Sequence, residues 1–530
     1  MLSDSASLIL STTSTVNPVV FANPTTKSRF SFNINLKNVM GEMWNKYDQF
    51  ALKVVSFSTV GSVTLPNNVY GTMCWNLRGL EWVNIFNENT GTFNNQQWAP
   101  IVFSNIITAV PTTNPLITNT GQSYNFKKGN EAVTLDFAQS YSDTSSENGF
   151  SGNPNQLPVS YIYNDIEFHF LFEPVIPGKM NECACFLFNN FITNSNLGRV
   201  MSSDRKIFSY PNFNMQKLCS MFWDKHTDFE IQMAQSMQRG GQNLSADNRV
   251  LTLQMSGLNF VNNGTKQSNA ETRLNLSTDN ALLGTLIVPS VGNETNVLMS
   301  YPVAPVQFKK DQDTVPLTIT YKNIDNRMLF AANLTSNDLH QIVFFVKPIY
   351  GVEKGTLNLS VGGLSSSITN PLGFVNADYT TATWKNVNIK QVCRSMWDKY
   401  DRFNIFLTQA TYGAGAGNAT NAACMLQLEG FDLINQLSLT QSNRQNQVAT
   451  LGSFYMSPTP STDPRTIGIM SSAITTFYKK DFVDLTLNAI PLGTTAFSSQ
   501  FPLGASFTFT IVGVPKDKEE PQQLKENRMF

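Results

Sequence analysis

Several residues in this chain have types and spacings that could do chemistry. Three histidines, His169, His226 and His340, are the candidates for proton transfer near neutral pH. Among the six cysteines only Cys183 and Cys185 lie close together. That is neither a disulfide framework nor a zinc pattern, so reduced, buried thiols are expected. Asp311 and Asp313 form a carboxylate pair suited to a cation, and Trp75, Trp82 and Trp98 offer faces on which a sugar could stack. Lysine pairs at Lys127–Lys128, Lys309–Lys310 and Lys479–Lys480 could grip an acidic group or a phosphate. No G-x-S-x-G, H-E-x-x-H, Walker loop or paired C-x-x-C occurs.

The elements that must position these residues emerge when the chain is aligned with itself. MWNKYDQF (43–50), FWDKHTDF (222–229) and MWDKYDRF (396–403) are one motif, with tryptophans at 44, 223 and 397. LRGLEWVN (77–84), MSGLNFVN (255–262) and LEGFDLIN (428–435) follow at matching distances. An aromatic with two lysines comes next, in FKKGNEAVTLDF (126–137), FKKDQDTVPLTI (308–319) and YKKDFVDLTLNA (478–489). An alternating apolar run closes each copy: DIEFHFLFEPV (165–175), HQIVFFVKPIY (340–350) and ASFTFTIVGVP (505–515). Four landmarks in one order make the chain a threefold tandem repeat.

Before each tryptophan, apolar residues recur at the spacing of one helix face: Leu36, Val39, Met40, Met43, Trp44; Met215, Leu218, Cys219, Phe222, Trp223; Ile389, Val392, Cys393, Met396, Trp397. Asn35, Asn214 and Asn388 stand where an N-cap belongs. The pattern predicts a capped helix of two to three turns ending near Trp-Asx-Lys, with Lys46, Lys225 and Lys399 facing the negative helix end. From Phe50, Phe229 and Phe403 onward the period shortens towards two, so a strand follows the helix. In the first copy further strands are expected near 29–34, 73–84, 99–107, 122–127, 131–138 and 160–173, between polar loops such as 142–158; the third copy has a similar loop at 413–421. The fold class expected is all-β: three tandem antiparallel β-sandwich, jelly-roll-like domains, each with a short amphipathic helix.

Against this frame most of the chemistry recedes. His226 takes the place of Tyr47 and Tyr400, a packing choice rather than a conserved base, and Asp311–Asp313 is not repeated, as a solvated turn would not be. Trp82 exchanges with Phe260 and Leu433, which fits a core better than a sugar platform. The lysine pairs read as guards against edge-to-edge strand pairing. Seven N-x-S/T sequons, at Asn243, Asn263, Asn275, Asn293, Asn333, Asn358 and Asn418, are expected in or near loops. No enzyme, metal or cofactor is expected.

Composition points the same way. The 530-residue chain has a net charge of −1 and only 14% charged residues, so its surface favours association and lacks the basic face that nucleic acid needs. No apolar run of about 18 residues predicts a membrane span. The Ser/Thr-rich start, without a basic n-region, reads as an extended arm rather than a signal peptide.

Amide- and Phe-rich tandem sandwiches of this kind resemble the capsid proteins of large icosahedral DNA viruses. The W-[DN]-K-x-x-x-F corner and the G-[LF]-x-[FWL] strand are similar to single-unit proteins of giant viruses, over most of 28–516. Major capsid proteins of that lineage carry two jelly rolls and assemble as trimers. Three copies depart from that pattern, so the resemblance implies a minor capsid or cement protein, made in the host cytoplasm and resident in the virion. Its partners would be the major capsid protein, neighbouring minor capsid proteins and other copies of itself. A virion-surface fibre or glycan-binding attachment protein is the alternative. The expected organisation is an arm (1–27), copies at 28–176, 177–351 and 352–516, and a polar tail (517–530).

Overall fold

The computed structural model describes residues 4–15, 18–22, 29–63, 72–87, 92–93, 98–105, 116–118, 123–141, 161–178, 181–189, 198–239, 250–267, 280–287, 295–299, 305–323, 340–351, 353–362, 381–412, 422–434, 448–456, 465–468, 474–491 and 504–515. The loops 142–158 and 413–421 and the tail 517–530 lie outside them.

The protein is all-β, built from antiparallel sandwiches with short helices. In the first copy the elements used below are β1 (Ala6–Ser11), β2 (Arg29–Asn35), α1 (Leu36–Met40), α2 (Glu42–Lys46), β3 (Gln49–Val63), β4 (Thr72–Arg78), β5 (Glu81–Trp82), β6 (Ile85–Asn87), β7 (Ala99–Asn105), β8 (Ser123–Lys127), β9 (Ala132–Tyr141) and β10 (Tyr161–Pro174). One sheet runs β1-β10-β3-β8-β5 and the other runs β2-β9-β4-β7. Its eight main strands form the two four-stranded sets of a jelly roll, β1-β10-β3-β8 and β2-β9-β4-β7, the arrangement that sequence patterning alone could not supply.

Two more copies repeat this wiring. The second contains β11 (Ala184–Asn189), β12 (Ile207–Asn214), α3 (Met215–Leu218), β13 (Asp228–Arg239), β14 (Val250–Ser256), β15 (Asn263–Gln267), β16 (Val306–Lys309), β17 (Thr314–Asn323) and β18 (His340–Pro348). The third contains β19 (Lys354–Gly362), β20 (Thr381–Asn388), α4 (Ile389–Val392), β21 (Arg402–Tyr412), β22 (Ala422–Glu429), β23 (Leu433–Ile434), β24 (Val448–Met456), β25 (Thr475–Tyr478), β26 (Phe482–Pro491) and β27 (Gly504–Val514). The sheet order β1-β10-β3-β8 recurs as β11-β18-β13-β16 and as β19-β27-β21-β25. A β-bulge recurs too: Val55, Ala234 and Thr408 are skipped in the pairing of β3, β13 and β21 with their long neighbours.

Two expectations change. Ala6–Ser11, read as part of an arm, is the first strand of copy one, paired along its length with β10. Its Ser/Thr richness disguised an alternation that buries Leu8 and Leu10. Packing, moreover, divides the chain into two compact units rather than three. One is Met1–Asn259, Leu283–Asn323 and Leu329–Tyr350; the other is Phe260–Leu282, Ile324–Met328 and Gly351–Phe530. The first unit joins copies one and two through a single apolar cluster, in which Leu8, Phe170 and Trp82 lie together with Cys185, Leu187, Val343 and Phe345. The second has its own core around Trp384, Trp397, Phe403, Phe477 and Phe509.

Strands cross between copies. β6, from copy one, pairs parallel with the outer edge of β11 in copy two. β15, from the copy-two sequence, pairs parallel with the outer edge of β19 in copy three.

Candidate functional site

The repeated corner begins at an asparagine. The side chains of Asn35, Asn214 and Asn388 accept the backbone N–H of Asn38, Lys217 and Gln391 at 3.0, 2.7 and 3.0 Å. The first helical N–H of each copy goes instead to the backbone carbonyl of Glu131, Asp313 or Asp481, at 2.7–2.9 Å. The apolar stripe is buried in all three copies except for Val39, which is partly exposed. The segment is not one helix of two to three turns. It breaks after about one turn, at Gly41 (φ 56°), Cys219 and Cys393, and a second tight turn carries the tryptophan. Breaking the rod lets both turns lay the same stripe on one sheet end, which a straight helix of that length would overshoot.

Behind each tryptophan stands a stack of rings. Trp44 stacks on Phe50, Trp223 on Phe229 and Trp397 on Phe403, with centroids 5.7, 4.8 and 5.7 Å apart. The second rings meet Phe126, Phe308 and Phe477 at 5.7, 5.5 and 5.9 Å. Over the other face of each indole lies a lysine, with Nζ of Lys128, Lys310 and Lys479 at 5.4, 5.3 and 4.9 Å. Lys310 also donates to the Trp223 carbonyl at 3.1 Å, and Lys479 donates to that of Trp397. Lys310 and Lys479 therefore bring a further cation to the end of the tryptophan turn, where Lys46 and Lys225 lie in the last turn as expected. Lys46 lies 3.6 Å from Glu42, and Lys399 is 2.7 Å from Glu353.

That placement overturns the edge-guard reading, since β8 lies between β3 and β5. It also shifts the third copy by one residue. Phe477, not Tyr478, is opposite Phe403, as Phe126 is opposite Phe50 and Phe308 opposite Phe229.

The second landmark is a turn that only glycine fits. Gly79, Gly257 and Gly430 have φ of 115°, 99° and 116°, and a Cβ there would stand 2.0, 2.1 and 1.9 Å from the carbonyl oxygens of Thr134, Pro316 and Asp484. The landmark ends on an asparagine that does more than its spacing disclosed. Asn84 and Asn262 sit in the left-handed region (φ 56° and 53°), which asparagine tolerates, and both are buried. The Asn84 carbonyl accepts the N–H of Cys185 at 2.7 Å, and its Oδ1 accepts Met221 N–H at 3.3 Å and the Ser220 hydroxyl at 3.2 Å. The Asn262 carbonyl accepts Thr356 N–H at 2.8 Å, while its Oδ1 accepts Ser395 N–H at 2.9 Å. Each asparagine thus holds the first strand and the tryptophan turn of the following copy. The recurrence of Asn in all three landmarks was the available signal, and its target lay about 100 residues onward.

Asp313 accepts the Trp223 indole N–H at 2.7 Å, and no group of three metal-binding side chains occurs among the described residues. His226 is more than packing, because its Nε2 lies 3.4 Å from the buried Glu182 carboxylate, which also accepts the Tyr350 hydroxyl. Burial and that carboxylate together push the Tyr350 phenol up. His169 bonds the Ser7 hydroxyl at 2.8 Å, and His340 opens β18. Burial raises the thiol of Cys183 to about 11 and those of Cys185, Cys219 and Cys393 as well, which leaves them protonated and unreactive at neutral pH. Trp75 and Trp82 are wholly buried, and Trp98 lies under Arg78 and Arg29, with guanidinium carbons 4.7 and 5.8 Å from the ring centre. Of the sequons, Asn358 is buried in β19, bonded to Thr508 at 2.9 Å, and Asn263 lies in β15. Both are strand residues rather than loop residues; Asn243, Asn275, Asn293, Asn333 and Asn418 lie outside the described residues.

Fold and corner together define a tandem jelly-roll protein. No family model matches the chain. No curated protein matches it. Among solved structures, a chain in the atomic structure of Sulfolobus Turreted Icosahedral Virus is similar over 94% of this chain and 86% of its own, at 11% identity and a TM-score of 0.18. The crystal structure of tripeptidyl peptidase 2 is similar over 96% of this chain and 38% of its own, at 10% identity and a TM-score of 0.14. Neither likeness is close enough to carry an argument. No helix among the described residues is long and apolar enough to cross a membrane.

Proposed function

We propose that this chain is a structural virion protein, a minor capsid or cement component whose work is contact and not reaction. One observation carries the reading: the tryptophans and ring stacks repeated in all three copies are buried in the corner, and the landmark asparagines of the first two copies hold the first strand of the next. A chain whose repeated residues serve packing and joining leaves its outer sheet surfaces to meet other proteins. Three such surfaces on one chain let each copy diverge for a different neighbour. The sequence resemblance to capsid proteins of large icosahedral DNA viruses names the setting, with the major capsid protein and other minor capsid proteins as neighbours. Specific contacts of that kind need roughly 1,200–2,000 Å² each.

Cross-linking mass spectrometry on intact particles tests the proposal. Links from the three copies to different shell proteins are expected. Absence of the chain from purified particles ends it.

A further inference from the structure

The outer edge of the first strand is covered by a strand from the preceding copy in β11 and in β19. In β1 it is not: β1 is the terminal strand of its sheet among the described residues. The position is equivalent in detail. Leu8 lies opposite Phe170, Phe186 opposite Phe344 and Leu357 opposite Phe509, each phenylalanine standing at the recurrent bulge. On the covered edges Phe86 pairs with Phe186 and Gly264 with Leu357. Edge strands that expose apolar side chains recruit partners unless blocked. β1 exposes Ile9 at 56% and carries neither proline nor lysine.

The chain also contains a third copy of the donor sequence. Phe86 and Gly264 each stand seven residues beyond the turn glycine, at Gly79 and Gly257; the same count from Gly430 reaches Leu437. The clamp residue is present as well, since Asn84 and Asn262 correspond to Asn435. The stretch 435–440, NQLSLT, follows β23 directly and alternates apolar with polar residues as an added strand does.

We propose that residues 435–440 of one molecule add as a parallel strand to the β1 edge of a second copy of this chain. Leu437 then lies opposite Leu8, and the Asn435 carbonyl takes the outward N–H of Ser7, as that of Asn84 takes Cys185. The Asn435 side chain meets the backbone N–H of Glu42, the counterpart of Met221 and Ser395. Donor and acceptor are different surfaces, so the contact is heterologous and propagates head to tail until a ring closes or a filament grows. This inference rests on strand geometry and is independent of the virion reading.

Sedimentation velocity on the full chain tests it. Wild-type protein should associate with rising concentration. Ile9→Pro removes an outward N–H while sparing the ladder to β10, and Asn435→Ala removes the clamp; each should weaken association at least tenfold. Mixing the two variants should restore a dimer and nothing larger, because one keeps the donor and the other the acceptor. Ile9→Lys provides the same block should proline disturb the fold, and the melting temperature checks that both variants remain native. A short bis-maleimide should join an Ile9→Cys chain to a Ser438→Cys chain. Wild-type protein that stays monomeric, an edge variant that associates as wild type does, or a cross-link confined within single chains overturns the proposal.

Discussion

The outer edges of β1 and β11 are one position of one sandwich, yet β11 is paired along that edge with β6 while β1 is terminal among the described residues. Nothing in the two strands themselves explains this. Leu8 and Leu10 are buried like Phe186 and Phe188, and both strands run against a long partner with a bulge at the same place. Where the edge is paired, the strand comes from another copy. β11 inherits a strand and an asparagine from copy one, as β19 inherits them from the copy-two sequence. Pairing an edge therefore belongs to the junction between copies, whereas the ring stack of the corner is built within each copy.

That division can be broken experimentally. If the corner is intrinsic, removing the middle ring of its stack should cost alike in every copy. Phe50→Ala, Phe229→Ala and Phe403→Ala should each lose about 3–5 kcal/mol, measured by denaturant unfolding. Markedly unequal losses would tie the corner to its neighbours. Gly257→Ala comes next, at about 3 kcal/mol, because its Cβ must push against the Pro316 carbonyl in a backbone region closed to L-residues. Hydrogen exchange should show β15 loosened along with it. Gly41→Ala separates the two causes, since nothing lies within 4 Å of its Cβ and only the strain of its positive φ is left, so it should cost less.

The junction is sharpened by the asparagines. Asn84→Ala and Asn262→Ala strand part-buried N–H groups at Met221 and Ser395 and should each cost about 1–3 kcal/mol. Asn435→Ala should leave the stability of the isolated chain unchanged, within error of the same unfolding measurement. Equal costs at all three positions would erase the distinction drawn between covered and open edges. The smallest effect belongs to the helix cap: Asn214→Ala should lose about 1 kcal/mol, with faster amide exchange at Lys217.

Much of this was legible in the residues. The threefold repeat, the asparagine before each helix, the buried stripe and the turn glycine all announce themselves locally, because capping, helical spacing and positive φ constrain residues only a few positions apart. Even where the helix broke early, the stripe it had to bury was correct. The sequence could not show that SASLILS is a strand of the first sandwich, since its partner Phe168 is some 160 residues away and Ser-rich alternation looks like a tether. Nor could it choose which lysine meets the indole: Lys46 and Lys128 are equally charged, and only the fold brings the β8 end over Trp44. The tertiary structure likewise decided that the landmark asparagine serves the next copy. Local periodicity fixes faces and caps, whereas pairing partners are set by contacts across long stretches of chain, which leave no periodic mark on either segment.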